Sequence, residues 1–590
     1  MALRCDPDSY QLIQNHAKNL LCFVNQYKWI SEAYIVEFFV KDHWANLPGS
    51  WQDVLQDFDT EQMASLLSGQ PMNNGTIFQR VWPLSLLSFR AAAYALPLPR
   101  ILCEKDETFD HVEVQNLLRK AQTSYEPLPH HYRRHVKPKK QYEIFRLAKL
   151  INEVCTDSRC LNLVDVGAGL GHLTRLLSFG YGLHVTTVEA DGCNVTGAIK
   201  LDSKLTETIQ VKRVENPSKL KGVKLSESAS DDPNIPSHVI FHINANIAAD
   251  DFLNLLQENH GAVLLSDREE RQTIVDKRLN GSITSADNNK STVSGNENAK
   301  YAMSEQNLAH AQQTVSCDDK SFVFAGLHTC GDLAPTILRV FTRCKTATAL
   351  VSVGCCYQRM TCRNVTPAKT QCNRTVPTDS QAAAILDTGN PRTTAGIQNS
   401  SQPQGYPMST WVNHIPNHEL NYEPRELACH AVDTYAQRLR DGDPNIILQC
   451  YRAILETIIQ KQHPELSTGH ASIRKLKKIM RNVKKQHDVP LNQYLSEALS
   501  KLGLEQVSID ESKELEKLLA RWKQLIAFHV VRLLTAPVIE SLILIDRMLY
   551  LYEQGFESQL IPVFNPKMSP RNFVLISKKT SPQFQDLETL

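Results

Sequence analysis

A glycine-rich turn between two apolar strands constrains this 590-residue chain more than any other feature. The first strand, Leu161 to Val166, carries Asp165, and the second, His184 to Val188, is followed by Glu189. Three glycines stand at alternate positions in the turn: Gly167, Gly169 and Gly171. Glycine lets a backbone turn tightly and approach a ligand, and an acid after the second strand can accept both hydroxyls of a ribose. The pattern predicts a nucleotide-cofactor half-site in an α/β fold.

The glycine spacing and the preceding acid decide which cofactor is expected. A dinucleotide fingerprint reads G-x-G-x-x-G and holds a pyrophosphate at a helix N-terminus. Here the spacing is G-x-G-x-G, and Asp165 stands two residues before the first glycine. A carboxylate there would repel a pyrophosphate but suits the ammonium and sulfonium groups of S-adenosylmethionine. We therefore predict S-adenosylmethionine, bound by Asp165, the three glycines and Glu189. A glycine-rich turn in an unrelated α/β domain is the alternative.

A further strand is predicted from Val239 to Ile247, and its C-terminal end carries Asn244 and Asn246. Ligands of doubly wound sheets bind at the carboxyl ends of the strands. Asn246 is therefore a candidate for bonding the adenine of the cofactor. A turn-forming asparagine is the competing interpretation.

Two later apolar runs, Phe322 to Leu327 and Ala347 to Val353, end in clusters of reactive side chains. If both are parallel strands, their ends lie side by side at the catalytic edge of the sheet. The candidate catalytic residues are the polar and thiol groups of these two ends: His328, Cys330, Asp332, Cys355, Cys356 and Tyr357.

Four roles are open for these residues. His328 or Asp332 is a candidate general base. Cys330 with Cys355 or Cys356 is a candidate catalytic cysteine pair that attacks a pyrimidine ring. The three cysteines with His328 are candidate zinc ligands, but no metal is assigned, because two strand ends without C-x-x-C spacing are a weak zinc signal. Buried packing alone is the fourth possibility, since free cysteine is often buried.

Several motifs in a fixed order resemble the methyltransferase-like protein 25 family. They are DVGAGLGHLTR, GLHTCGDLAPTILR and VGCCYQRMT, followed by ELACHA from Glu426 to Ala431 and SPRN from Ser569 to Asn572. The resemblance spans about Tyr132 to Lys578. A looser similarity, in the H-x-C-G and C-C-Tyr pair, extends to the Trm-thirteen type of tRNA ribose 2′-O-methyltransferases, whose zinc-finger modules are not found here. The resemblance implies a class I methyltransferase fold and use of S-adenosylmethionine.

The expected fold class is α/β, with a doubly wound, seven-stranded, Rossmann-like class I methyltransferase core. An N-terminal all-helical cap and a helical insertion before the last β-hairpin complete it. The predicted segments are a helical cap (1–125), the cofactor half of the core (126–265), a disordered insertion (266–321), the second half of the core (322–362), a second disordered insertion (363–405), a helical lid (406–507) and a final core helix with the β-hairpin (508–590).

Charge and composition bear on partners and location. The formal net charge of +1 gives no overall attraction for a polyanion, so a nucleic-acid surface has to be local. Two local stretches fit: Arg133, Arg134, Lys139 and Lys140 beside two tyrosines, and a basic amphipathic helix from Arg474 to Lys485. RNA is therefore the favoured substrate; a protein substrate and a non-catalytic cofactor-binding scaffold are the alternatives.

The N-terminus and the most apolar stretch of the chain predict neither a secretion signal nor a membrane-spanning helix. The N-terminus, MALRCDPDSY, lacks a basic and an apolar signal region, which favours a cytoplasmic or nuclear setting. The most apolar stretch, Val530 to Leu551, is interrupted by charged residues and Pro537, which predicts a buried helix.

Overall fold

A computed structural model gives the fold, and its described residues fall into seven ranges. They are 3–101 (without 73–74, 77 and 79), 128–215, 234–258, 320–362, 404–464, 489–505 and 509–579. The predicted basic helix from Arg474 to Lys485 lies outside the described residues, as does nearly all of both predicted disordered insertions.

Eight described strands form one mixed sheet. In chain order they are β1 (Leu3–Cys5), β2 (Asn162–Val166), β3 (His184–Glu189), β4 (Ser237–Ile240), β5 (Phe322–Cys330), β6 (Ala347–Cys355), β7 (Ser558–Pro562) and β8 (Phe573–Lys578). The sheet order is β1-β7-β8-β6-β5-β2-β3-β4. Strands β2 to β6 are mutually parallel, and β8 runs antiparallel between β6 and β7. The reversal of strand order at β2 and β5 is the switch point where α/β sheets bind ligands.

The sheet corrects the predicted strand count. Strands β2 to β8 make up the expected seven, with the last two as the expected hairpin. The eighth, β1, pairs antiparallel with β7 through Leu3 opposite Leu560. The N-terminal segment is therefore not all helical: its first residues extend the sheet and cover the edge that β7 would otherwise expose.

The helices are numbered in chain order. The first nine are α1 (Tyr10–Gln26), α2 (Lys28–Ser31), α3 (Gly49–Leu55), α4 (Thr60–Ser68), α5 (Leu84–Ala95), α6 (His130–Arg133), α7 (Pro138–Asp157), α8 (His172–Arg175, continued by a π-helical turn Leu176–Gly180) and α9 (Gly192–Glu215). After α10 (residues 249–258) come α11 (Leu333–Arg343), α12 (Thr410–Asn413), α13 (Tyr422–Leu427), α14 (Val432–Arg440), α15 (Leu448–Gln462), α16 (Leu491–Leu502), α17 (Ile509–Ala520), α18 (Trp522–Leu534) and α19 (Ala536–Glu553).

Each face of the sheet has its own core, because alternate strand residues point to opposite sides. Leu163 of β2 packs with α7, α8 and α9 on one face. Its neighbour Val164 belongs to the other core, which joins the N-terminal helices, α10, α11 and the helices from α13 onward. The N-terminal and the inserted helices thus share one hydrophobic layer. The predicted role of the insertion as a substrate lid stays a prediction.

The apolar helical stretch Trp522–Glu553 is long enough to cross a membrane, but 94% of its most apolar window is buried inside the protein. It packs against the sheet and α1. The prediction of a buried core helix is confirmed.

Candidate active site

The glycine turn stands at the carboxyl end of β2, beside the switch point. All three glycines adopt the left-handed region, with φ of +71° at Gly167, +59° at Gly169 and +66° at Gly171, where side chains are strained. The Gly169 N–H donates to Oε2 of Glu189 at 2.8 Å, which ties the turn to the end of β3. A Cβ at Gly169 would meet no atom of the described residues within 4 Å, so in that part of the chain the turn faces open space.

Two carboxylates flank this space in different environments. Asp165 is 2% exposed and accepts a 2.6 Å hydrogen bond from the Thr174 hydroxyl. Burial raises the pKa of Asp165 to about 6, in spite of that hydrogen bond. Glu189 is only partly buried, and its Oε1 accepts from the Asp191 N–H at 3.1 Å. Glu189 is thus the carboxylate that a ligand in the open space would reach.

Asn246 lies away from a strand end, contrary to the predicted strand from Val239 to Ile247. Strand β4 stops at Ile240, because it is the edge strand and its partner β3 ends at Glu189. Asn246 is exposed, and its N–H donates to the Asn244 side chain at 2.9 Å in an Asx turn. The structure therefore supports the turn-forming interpretation of this asparagine pair.

His328 projects from a break in β5. The register against β6 shifts between Leu327 and Thr329, so His328 is an extra residue in the ladder, and its φ of +66° is rare outside glycine. Such a bulge redirects a side chain. The ring Nε2 donates to Oε2 of Glu143 at 3.0 Å, and the imidazole is 30% exposed.

Glu143 comes from α7, on the face of the sheet opposite the inserted helices. Its side chain is 2% exposed and accepts from the Ser569 hydroxyl at 2.6 Å, and its Oε1 forms an ion pair with Lys139 Nζ at 3.4 Å. Burial acts to raise the pKa of Glu143. The hydrogen bond and charge of His328, and then the charge of Lys139, lower the pKa by more than burial raises it, so the net shift is downward. An ionised, buried Glu143 therefore orients the imidazole.

The three predicted thiols meet at the ends of β5 and β6. Cys330 and Cys355 are neighbours across the two strands, with 3.1 Å between their sulfurs, and 3.7 Å separates the sulfurs of Cys355 and Cys356. Hydrogen bonding from the Cys355 thiol lowers the pKa of Cys330 to about 6, although burial opposes the shift. The same contact raises the pKa of Cys355, whose thiol therefore keeps its proton.

The structure contradicts a catalytic role for Tyr357, whereas the predicted role of Asp332 stays a prediction. Oδ1 of Asp332 accepts from the backbone N–H of Thr361 at 2.8 Å and so ties two loops together. Tyr357 is 1% exposed, and its hydroxyl donates to Glu540 at 3.2 Å. The tyrosine belongs to the core because the backbone at Cys356, with φ of +51°, turns the following side chain away from the thiols.

Sequence reasoning missed Glu143 and Ser569. Glu143 is spaced with Leu147 and Ile151 on the buried stripe of α7, and an acid on an apolar stripe is the signal that was available. Its partner His328 is 185 residues away in sequence, so no local pattern connects them. Ser569 lies in the SPRN motif. That motif contributed to the family resemblance, but the sequence alone assigned no function to its residues.

Comparisons with known proteins agree with this architecture. Residues 139–363 match a family described as a methyltransferase domain. The chain is 24% identical to the probable methyltransferase-like protein 25 of Mus musculus, over 96% of both chains. It is 23% identical to that of Homo sapiens, over 95% of this chain and 96% of the relative. No solved structure gives a significant match. Residues 139–363 thus resemble a methyltransferase domain, and the chain is similar along nearly its whole length to two probable methyltransferase-like proteins 25.

Proposed function

We propose that this protein transfers a methyl group from S-adenosylmethionine to RNA. The observation that carries the proposal is the placement of three features: the open glycine turn with Glu189 after β2 and β3, the oriented imidazole of His328 near the end of the neighbouring strand β5, and a basic segment that reaches Glu143 through Lys139. Each feature serves one requirement of the reaction: a donor site, a base and a site for a polyanion.

The glycine turn fits the methyl donor. No atom of the described residues lies within 4 Å of a Cβ position at Gly169, which leaves room for a ligand against the backbone. Glu189 would accept the ribose hydroxyls, and Asp165 would supply negative charge toward the cationic end. Asn246 is not needed for this assignment. When bound, S-adenosylmethionine supplies an electrophilic methyl group on a sulfonium, and this transfer requires no metal.

His328 fits a general base for an acceptor that carries a proton, such as a ribose hydroxyl. An ionised Glu143 can only accept, so Nε2 of His328 carries the proton in their 3.0 Å hydrogen bond. Nδ1 is then the basic nitrogen, and it makes no hydrogen bond to any residue the structure describes. Glu143 stabilises the imidazolium that forms when Nδ1 takes up the substrate proton.

The basic segment before α7 fits an anionic substrate. Arg134, Lys137 and Lys139 are exposed, and Lys139 lies 3.4 Å from Glu143. Positive charge is therefore concentrated next to the imidazole although the whole chain is nearly neutral. The two tyrosines of this segment, Tyr132 and Tyr142, are 6% and 2% exposed, so neither offers a ring face to a base. Phosphate contact, and not base stacking, is the role we assign to this segment.

The test is transfer of labelled methyl groups from S-adenosylmethionine to fractionated cellular RNA and protein. We expect label in RNA, a kcat reduced about 10²-fold or more in Glu143→Gln, and little change in KM. The paired variant Arg134→Ala with Lys140→Ala should raise KM for RNA and lower the salt dependence of binding by about two charges. Lys18→Ala, which removes an exposed lysine from α1, is the matched control.

Three results would contradict the proposal. Label in protein alone would show that the substrate is a protein and not RNA. Binding of S-adenosylmethionine without transfer to any fraction would make the protein a scaffold. Equal loss of RNA binding in Lys18→Ala and in the paired variant would show that the basic segment has no specific role in binding RNA.

A further inference from the structure

Three thiols form a cluster at the catalytic edge that the proposed reaction does not use. Cys330 ends β5, Cys355 ends β6, and Cys356 follows it. All three sulfurs lie within 4.8 Å of one another. In the part of the chain that the structure describes, this is the single group of three or more His, Cys, Asp or Glu ligand atoms with such spacing.

The sulfur spacing fits a metal ion that prefers thiolates. Zinc binds sulfur at about 2.3 Å in a tetrahedron, which separates the sulfurs by about 3.8 Å. The 3.7 Å between Cys355 and Cys356 matches that value, and the 3.1 Å between Cys330 and Cys355 needs a widening that a side-chain rotation supplies. The cluster therefore already holds three ligand atoms near one coordination sphere.

The backbone around the thiols fixes this arrangement. The Gly331 N–H donates to the carbonyl of Cys355 at 3.2 Å, and a Cβ at Gly331 would lie 3.0 Å from the Arg359 carbonyl oxygen. The two strand-end turns therefore touch backbone to backbone, and only glycine fits between them. The Arg359 N–H donates to the Cys356 carbonyl at 2.9 Å, which closes the second turn beside the sulfurs. Ligands on two rigid strand ends lose little entropy when they bind a metal.

The charge around the cluster also suits a metal–thiolate centre. Zinc binding releases the thiol protons to solvent, that of Cys355 included, and the resulting three thiolates with one Zn²⁺ carry a net charge of −1. The Arg359 guanidinium acts electrostatically on both Cys330 and Cys356, and this cation would offset that charge. His328 takes no part in the cluster, because neither of its ring nitrogens is among the ligand atoms that lie within 4.8 Å of one another. The set is thus three thiols, without the histidine that sequence reasoning considered.

We propose that Cys330, Cys355 and Cys356 bind one zinc ion, with the fourth coordination position open to solvent. Cys330 and Cys356 are partly exposed, so water or a substrate atom can reach the ion. Structural zinc sites have four protein ligands, whereas three ligands and an open position are typical of catalytic ones. This proposal revises the initial assignment of no metal, and it stands whether or not the substrate is RNA.

The experiment measures zinc content in the full-length protein, purified under reducing conditions and loaded with zinc chloride. We expect one zinc per chain, and strong sulfur-to-metal charge-transfer absorption when Co²⁺ replaces zinc. The double variant Cys330→Ser with Cys356→Ser should lose both signals, with affinity reduced at least 100-fold. Cys22→Ser, which removes an exposed thiol on α1, should keep both. Circular dichroism shows whether the double variant is folded, and the single variant Cys356→Ser replaces it if it is not.

Several outcomes would overturn the proposal. Absence of zinc from wild-type protein at micromolar concentration after complete reduction would contradict it. So would a folded double variant that keeps the metal and the cobalt spectrum. A peptide that joins Cys330 to Cys355 after digestion, in protein that holds no metal, would show that these two residues form a disulfide instead. Loss of zinc in Cys22→Ser would place the ion elsewhere.

Discussion

Replacement of Asp165 by asparagine should make the protein more stable while it weakens binding of S-adenosylmethionine. The carboxyl group is fully buried at the end of β2, and its pKa rises from 3.8 to about 6 on folding. In the unfolded chain the group ionises near pH 4, but in the folded protein it keeps its proton to about pH 6. The folded state is therefore destabilised as pH increases through this window.

The size of the effect follows from the pKa change. A difference of about two pKa units destabilises the folded state by about 3 kcal/mol once the pH is well above 6. At pH 4.5 the destabilisation is only about 1 kcal/mol. Asparagine keeps the acceptor for the Thr174 hydroxyl and removes the buried charge, but its NH₂ group brings two N–H donors whose burial costs about 1 kcal/mol. We expect Asp165→Asn to raise the free energy of unfolding by about 2 kcal/mol at pH 8.5.

Urea unfolding followed by tryptophan fluorescence at pH 4.5 and 8.5 measures this difference. The exposed carboxylate variant Asp8→Asn is the control and should change neither value. Calorimetry with S-adenosylmethionine at pH 8.5 should show affinity reduced at least tenfold in Asp165→Asn, about 1.4 kcal/mol, since a negative charge facing the cationic ligand is gone. The reasoning is refuted if Asp165→Asn is less stable than wild type at pH 8.5, or if its advantage is the same at both pH values.

Three further substitutions separate structural from catalytic roles. Tyr357→Phe removes one hydrogen bond to Glu540 and should lower the free energy of unfolding by about 1 kcal/mol without changing kcat. A large drop in kcat would show that the tyrosine acts in catalysis after all. Glu540→Gln leaves Arg100 and Arg571 without their buried anion and should cost about 3–5 kcal/mol, measured as a lower Tm; an unchanged Tm would contradict the network. Gly171→Ala forces a side chain into φ of +66° and should cost about 1–2 kcal/mol and weaken cofactor binding in calorimetry; wild-type values for both would show that the turn relaxes.

Local features of the chain were predictable from sequence, because their physical cause is local. The residue type alone predicts the left-handed backbone of the glycine turn. The apolar runs that form β2, β5 and β6 predict parallel strands buried on both faces. The meeting of Cys330 with Cys355 follows from the rule that parallel strands end at one edge. No further information was needed to place these two thiols together.

Long-range pairings were not predictable in the same way. Strand β1 is three residues long and exists because β7 presents a free edge more than 550 residues later. The bond between His328 and Glu143 depends on how α7 crosses the end of β5, which no spacing encodes. Tyr357 shows a subtler limit: it stands next to Cys356 in sequence, yet one left-handed residue sends its side chain to the opposite environment.

The site is built from more of the chain than the methyltransferase domain of residues 139–363 contains. Glu143, which orients His328, takes a 2.6 Å hydrogen bond from Ser569, in the loop between β7 and β8. Strand β8 then pairs with β6, the strand that ends at the thiols. Without that hairpin, β6 would be an exposed edge and Glu143 would lose its only hydroxyl partner among the described residues. The last strands therefore complete the geometry of the imidazole and the thiols, although the helical layer separates them from the domain in sequence.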